Sequence, residues 1–372
     1  MKISLRVCYV ALGLLILILI IGFVQQSTVV LTPTLASTVV SASIPTHVGI
    51  SAASPASTPT PAAASHVQSL QTTQAPDCCD ISKGIVVEPF CNGSDTLSLR
   101  GCKCVDVLLC RMVAVTSLSS NHFAEGQDNF GSLQKYFPRT KIIVHDLGLT
   151  ESERRQLTSY CNVELRNFPF EKYPDHVRDL KTYAWKPLVV SEVAREYEVI
   201  LYGDASVRMK SSDMVTVLKS IVKFPFLSGS PHWPAIVSLT HDGMLEYLRM
   251  QQSRKELVNF VGTQGGVWLM WANSMMKARV IDAWVDCAVN KRCIAPEGSR
   301  LQPCNLNDLG SLTVGNYVGC HRYDQSALNM IFAREFGISI SPQIANGELA
   351  NYMWYVDRQA TSTFKVQICS TH

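Results

Sequence analysis

Between Gln25 and Pro76 the chain has no aspartate, glutamate, lysine or arginine. Large apolar groups are also scarce there. Ser, Thr, Ala and Pro dominate, as in SAASPASTPTPAAAS. Such a segment has too little to bury to offset the entropy of ordering, so a folded domain is excluded from it. Ser and Thr mixed with Pro mark an O-glycosylated stalk or a plain disordered linker, and either one is a stem. Charge is sparse throughout, with 17% charged residues and a formal net charge of +3. With no Lys/Arg-rich run and no aromatic-basic array, nucleic acid is excluded as a partner class. One N-glycosylation sequon occurs, at Asn92-Gly-Ser94.

The run Val7 to Val24, VCYVALGLLILILIIGFV, also lacks charge. Its 18 residues make a helix of roughly 27 Å, which suits the thinner membranes of the early secretory pathway. Lys2 and Arg6 flank it on the N-terminal side, and no Lys or Arg follows until Lys83. Positive charge stays cytosolic, so the expected topology is type II: a cytosolic tail (1–6), a transmembrane signal anchor (7–24) and a luminal remainder. A cleaved signal peptide has a shorter apolar region and a small-residue cleavage site, and GFVQQS is a poor one. The anchor and stem together predict a Golgi membrane address, with the endoplasmic reticulum and plasma membrane as alternatives.

Of 13 cysteines, Cys8 lies in the anchor and twelve follow it. Six crowd into Cys78–Cys110, four into Cys287–Cys320, and Cys161 and Cys369 stand apart. An even number in an oxidising lumen predicts disulfides, with connectivity left open. The Cys102-x-Cys104 spacing does not match common structural zinc sites. Residues 77–104 read as a cysteine-rich collar, and 105–372 as the main domain.

In that domain, Val105 to Val115 reads as a first buried strand. A helix follows around Asn129–Tyr136, then a strand at Lys141–His145, a helix over Glu151–Tyr160 and a strand at Val163–Phe168. Pro187 opens a helical stretch, PLVVSEVAREY, and Val199 to Tyr202 (VILY) is a compact strand. This alternation predicts an α/β, Rossmann-like fold with a mixed, mostly parallel sheet. In such sheets ligands bind at the carboxyl ends of strands, which directs attention to Gly203-Asp204-Ala205-Ser206.

Asp204 at a strand end has the oxygen chemistry to hold Mg²⁺ or Mn²⁺ against a diphosphate. The bland alternative is an Asp opening a polar turn. Lys186, at a helix start, is electrostatically misplaced unless an anion is near; otherwise it is a solvated surface lysine. Gly265 and Gly266, in TQGGVWL, would let backbone approach a sugar closely, or form a simple turn. In CHRYDQSALN, Asp324 reads as an N-cap, a ligand contact, or both, and Gly337 as the stop of the helix that follows.

The order YAWKPLVV, VILYGDAS, QGGVWL and DQSALN resembles that of animal Golgi glycosyltransferases of the GT-A fold, closest to family 8-like members. It is also similar to glycosyltransferase-like type II membrane proteins of animals. The resemblance spans about Val105 to Pro342, and DQSALN is its most specific block. It implies transfer of a sugar from a nucleotide-diphosphate donor to a luminal glycan or glycoprotein acceptor. It further implies that Asp204 contacts a metal or diphosphate and that Lys186 neutralises phosphate charge. Gly265 and Gly266 would border the sugar, and Asp324 and Gln325 would lie near the anomeric carbon.

Two departures stand out. Ser206 occupies the position of the second aspartate of D-x-D, and ISISPQIANGELANYMW lacks the family's C-terminal metal-binding histidine. His321 and His232 are the candidates to replace it. Without a bound cation, Lys186, Arg208 and Arg322 would carry the phosphate charge. Ser206 also keeps open a catalytically inactive binding or scaffold protein of the secretory membrane. A third alternative is a surface interaction protein working through its cysteine collar.

Overall fold

The computed structural model describes Cys78, Ile85 and residues 98–99, 101–230 and 235–369. The expected tail, anchor and stem, most of the collar, Asn92 and His232 lie outside the described residues. Among the described residues, no helix is long and apolar enough to cross a membrane.

The first apolar run divides into two elements. Cys104–Cys110 is a helix, α1, and the strand β1 begins only at Met112 and runs to Leu118. The single strand expected over Val105–Val115 is therefore corrected. Val105 and Leu108, three apart, are buried, whereas Leu109 is 38% exposed, which is helical one-sidedness. Asp106 accepts a hydrogen bond from the Lys103 amide at 3.0 Å, closing the first turn. Short apolar runs do not distinguish a helix from a buried strand by periodicity alone.

Then follow α2 (Phe123–Tyr136), β2 (Ile142–Asp146), α3 (Glu151–Thr158), β3 (Val163–Asn167), α4 (Trp185–Val193) and β4 (Val199–Gly203). Next come β5 (Val207–Met209), α5 (Met214–Lys223), β6 (Phe226–Ser228), β7 (Val267–Trp271), α6 (Asp282–Val289), α7 (Tyr323–Phe336) and β8 (Trp354–Val356). Thr150 accepts from the Glu153 amide, and Glu153 reaches back to the Thr150 amide, a capping box that starts α3. Gly337, at φ 76°, ends α7 as expected.

The main sheet has the order β3-β2-β1-β4-β7-β6. Its first four strands are parallel, and β7 runs antiparallel to both β4 and β6. The fold is thus mixed α/β with a mostly parallel sheet. Side chains alternate between two cores. Val113, Val115, Ile200, Tyr202, Trp268 and Met270 pack on one face with α4, α6 and α7. Ala114, Ile142, Val144, Leu201 and Leu269 pack on the other with α1, α2 and α5. With both faces covered, strands such as VILYG are buried at every residue.

Strand order reverses between β1 and β4, which opens a crevice at their carboxyl ends. Because Gly203 pairs with Val267, the residues just before β7 meet the end of β4 at this edge. A separate ribbon pairs β5 with β8, Val207 opposite Val356, and returns the C-terminal segment to the same edge. Disulfides join Cys78–Cys102, Cys161–Cys369, Cys287–Cys293 and Cys304–Cys320. Cys104 and Cys110 are disulfide-bonded as well.

Candidate active site

A cleft of about 690 Å³ lies at this edge. Its walls bring together Lys186, Asp204, Ser206, Gly265, Gly266, Arg322, Asp324 and Gln325, together with Tyr183 and Arg358.

Lys186 is the centre of the cleft floor. It lies inside the first turn of α4, which begins at Trp185 rather than at Pro187, and it is almost wholly buried. Its Nζ stands 3.2 Å from Asp204 Oδ1 and 2.9 Å from Asp324 Oδ2, and donates to the Gly265 carbonyl at 3.1 Å. The Tyr183, Trp185 and Tyr202 rings surround it at 5.3, 5.7 and 5.2 Å. Burial disfavours the ammonium, but the two carboxylates outweigh burial and hold its pKa above that of an ordinary lysine. Lys186 was expected to meet phosphate. Its charge is instead matched within the protein, because a buried ammonium needs an anion at contact distance.

Asp204 follows β4 directly, and its amide donates to the Gly266 carbonyl at 2.8 Å. The Tyr202 hydroxyl donates to Asp204 Oδ1 at 3.0 Å. The side chain keeps about a third of its surface exposed to the cleft (35%). A Cβ on Gly266 would stand 2.7 Å from Asp204 Oδ2, and one on Gly265 would stand 2.7 Å from Gln325 Cβ. The glycine pair is therefore a close backbone approach rather than a turn alone.

Asp324 does not cap α7. The N-cap is Arg322, without a capping side chain, and Asp324 lies inside the first turn. Chain entry through Tyr323 at φ 39° turns Asp324 inward, and Trp284 Nε1 donates to its carbonyl at 3.1 Å. Burial pushes its carboxyl up from 3.8 to about 6, with the neighbouring Lys186 acting against that shift. Its Oδ2 contacts the ammonium as an ion pair but has no hydrogen-bond donor aligned with it among the described residues.

Gln325 Nε2 donates to the Thr263 carbonyl at 2.8 Å. Asn329 Oδ1 accepts from the Thr263 amide at 2.7 Å, and Asn329 Nδ2 donates to the Gln325 carbonyl at 2.8 Å. This clasp ties α7 to the loop before β7 and gives the DQSALN spacing its structural reason, since Gln325 and Asn329 are one turn apart.

Two expected residues are placed elsewhere. Arg208 is 1% exposed and is not among the cleft-lining residues; its guanidinium donates to the carbonyls of Ala205, Val207, Glu125 and Gln359. It closes backbone groups left open where β5 meets α2. His321 is also fully buried, accepting from the His241 amide at 3.2 Å and donating to the Ile294 carbonyl at 3.2 Å. Burial lowers its pKa to about 3, so it is neutral and faces protein rather than the cleft. Sequence reasoning missed Tyr202, Tyr183 and Arg358. Tyr202 carried a weak signal, two residues before Asp204 on a buried strand, whereas nothing near Arg358 in the sequence marks it.

The donor set does not fit Mg²⁺ or Mn²⁺. Lys186 stands between the two carboxylates, so their charge is already partly met. The third group is the Ser206 hydroxyl, and the charged lining is Lys186, Arg322 and Arg358 against Asp204 and Asp324. Among the described residues, no cluster of three or more His, Cys, Asp or Glu is arranged to hold a metal.

A family described as protein of unknown function (DUF1647) matches residues 108–191, from α1 into α4. No curated protein matches the chain. Among solved structures, the chain is similar to the bifunctional glycosyltransferase WbbM at 12% identity and TM-score 0.35, covering 47% of this chain and 34% of that one. The chain thus spans about a third of that protein's length. It is similar to galactosyltransferase LgtC, solved with donor and acceptor sugar analogues, at 15% identity and TM-score 0.36, covering 59% and 70%. Mouse xyloside xylosyltransferase 1 is similar at 12% identity and TM-score 0.36, covering 63% of this chain and 84% of that one.

Proposed function

We propose that this chain is a glycosyltransferase that moves a sugar from a nucleotide-diphosphate donor to a glycan or glycoprotein acceptor. The observation that carries the reading is convergence. Residues from α4, the end of β4, the loop before β7 and the first turn of α7 line one cleft at a topological switch point. The order of motifs along the chain points to the same chemistry. In this reading the bond from the anomeric carbon to the diphosphate oxygen breaks, and its electrons leave with the diphosphate. The acceptor hydroxyl oxygen forms the new bond, and its proton passes to the departing diphosphate. Asp204 and Asp324 offset the positive charge that builds on the sugar, Gln325 borders the anomeric carbon, and the glycine pair admits the ring. Catalysis is then positioning and charge stabilisation. Similarity to family 8 favours retention of configuration, and the uncharged anchor and stem favour a type II Golgi membrane protein.

A second reading is a donor-binding protein without turnover. The Lys186–Asp204–Asp324 cluster favours it, because both carboxylates are paired with a buried lysine of the same chain. Full-length protein incubated with a panel of nucleotide sugars separates the two. Release or transfer of sugar that falls by about 10²-fold or more in Asp324→Asn supports transfer. Donor binding with no release supports the second reading, and no binding of any nucleotide sugar removes both.

A further inference from the structure

Segments that are distant along the chain meet at one atom. Three protein oxygens lie within 3.2 Å of Lys186 Nζ: Asp204 Oδ1 at the end of β4, the Gly265 carbonyl before β7 and Asp324 Oδ2 in the first turn of α7. An ammonium has three hydrogens, so its donors are matched in number by the protein. Its other sides face the rings of Tyr183, Trp185 and Tyr202. With 2% of the side chain exposed, no face is left to offer a diphosphate.

The ammonium is itself held. The Lys186 amide donates to the Tyr183 carbonyl at 3.0 Å. Tyr183, at φ 53°, has a left-handed backbone that few tyrosines adopt. Such strain persists where the surroundings over-determine it, and here the Tyr183 ring lies against the ammonium at 5.3 Å. Asp204 is fixed from a second side by the Tyr202 hydroxyl at 3.0 Å. The two carboxylate oxygens stand no farther apart than the sum of their distances to Nζ. Like charges so placed disfavour each other's ionised form, and the ammonium between them allows both.

We infer that Lys186 is a positioning residue: its ammonium holds Asp204, Asp324 and the Gly265 carbonyl as one unit against the sugar and does not itself bind the diphosphate. The inference rests on the proposed transfer reaction, and it reverses the phosphate role that the sequence suggests for this lysine. Removing the ammonium misplaces two carboxylates and a sugar-bordering glycine at once. The loss then falls on the chemical step rather than on donor binding.

Three measurements on the full-length protein test it: calorimetric titration with UDP and with GDP in Mn²⁺-containing buffer, kinetics with the nucleotide sugar that the parent cleaves, and urea unfolding. Lys186→Met should lower turnover by about 10²-fold while the donor KM changes by less than about threefold. Should that variant not fold, Lys186→Met/Asp324→Asn removes one charge of each sign and keeps the net charge of the cluster. Its nucleotide affinity should stay within about threefold of that of Asp324→Asn alone. A loss of about tenfold or more in that comparison overturns the inference and leaves the transferase reading intact. Lys186→Met should also lower the urea midpoint more in the parent than in the Asp324→Asn background, because only the parent is left with two carboxylates and no ammonium. Failure to fold in the parent background alone is the extreme of that outcome. Equal losses in the two backgrounds, or unaltered turnover in Lys186→Met, overturn the inference. The unfolding comparison needs no substrate, so a parent that binds neither nucleotide removes the proposed function while the hold of Lys186 on the carboxylates is still decided.

Discussion

Burial lifts the Asp324 carboxyl to about 6 from 3.8, against the pull of the Lys186 ammonium 2.9 Å away. Between those two values the folded chain holds a proton that the unfolded chain has released. By itself the group therefore lowers stability as pH rises through that window. Its function runs the other way, because only the carboxylate can offset positive charge on a sugar. Turnover should rise with pH through about 6 and level off above it, and Asp324→Asn should remove that limb from whatever activity remains. A pH–rate profile checks this; a rate independent of pH between 5 and 7 would show that Asp324 does not act as a carboxylate. Asp324 itself was legible in DQSALN. Its burial was not, because a first-turn aspartate ordinarily faces water as a cap, and only the positive φ at Tyr323 turns it inward.

The antiparallel pairing of β4 with β7 sets the distance between Asp204 and the glycine pair. Gly203 faces Val267, and the Asp204 amide reaches the Gly266 carbonyl. A methyl group at Gly266 meets Asp204 Oδ2 at 2.7 Å, so Gly266→Ala displaces the carboxylate while the buried strand Val267–Trp271 remains paired. Gly266→Ala should lower turnover by about tenfold or more for a shift of this kind and change stability by about 1 kcal/mol. Parallel kinetics and urea unfolding would separate the two effects. The element pattern was readable where strands are continuous apolar runs, as at KIIVH and VILY. It failed at CVDVLLC, where Asp106 closes the first turn of a helix in place of the strand that its β-branched residues suggest.

Over the whole molecule, the C-terminal strap joins parts that are far apart in the chain. Asp128 on α2 accepts from Thr361, Ser362 and Phe364, and Gln134 accepts from the Gln367 amide at 2.7 Å. Burial works against ionisation of Asp128, yet these donors, chiefly the Phe364 amide and Thr361, keep its carboxyl below the usual range. Asp128→Ala should cost about 2–4 kcal/mol, since several donors to a buried charge are lost at once. It should also raise hydrogen exchange over residues 358–366 well above that elsewhere. Equal exchange in the variant and the parent would mean that the strap is held without Asp128.

The sequence by itself determined the alternation of strands and helices, the mostly parallel sheet and the four segments that meet at the cleft. Periodicity, turn residues and strand-end position are local properties, and local properties are written in neighbouring residues. Only the tertiary structure decided what each charge is for. Lys186, read as a phosphate partner, is taken by two carboxylates, and Arg208 is spent on backbone carbonyls. Arg358 joins the site from more than 150 residues beyond Asp204, through the pairing of β8 with β5. Electrostatic partners are set by distance in space, and a charge's neighbours along the chain do not contain that information.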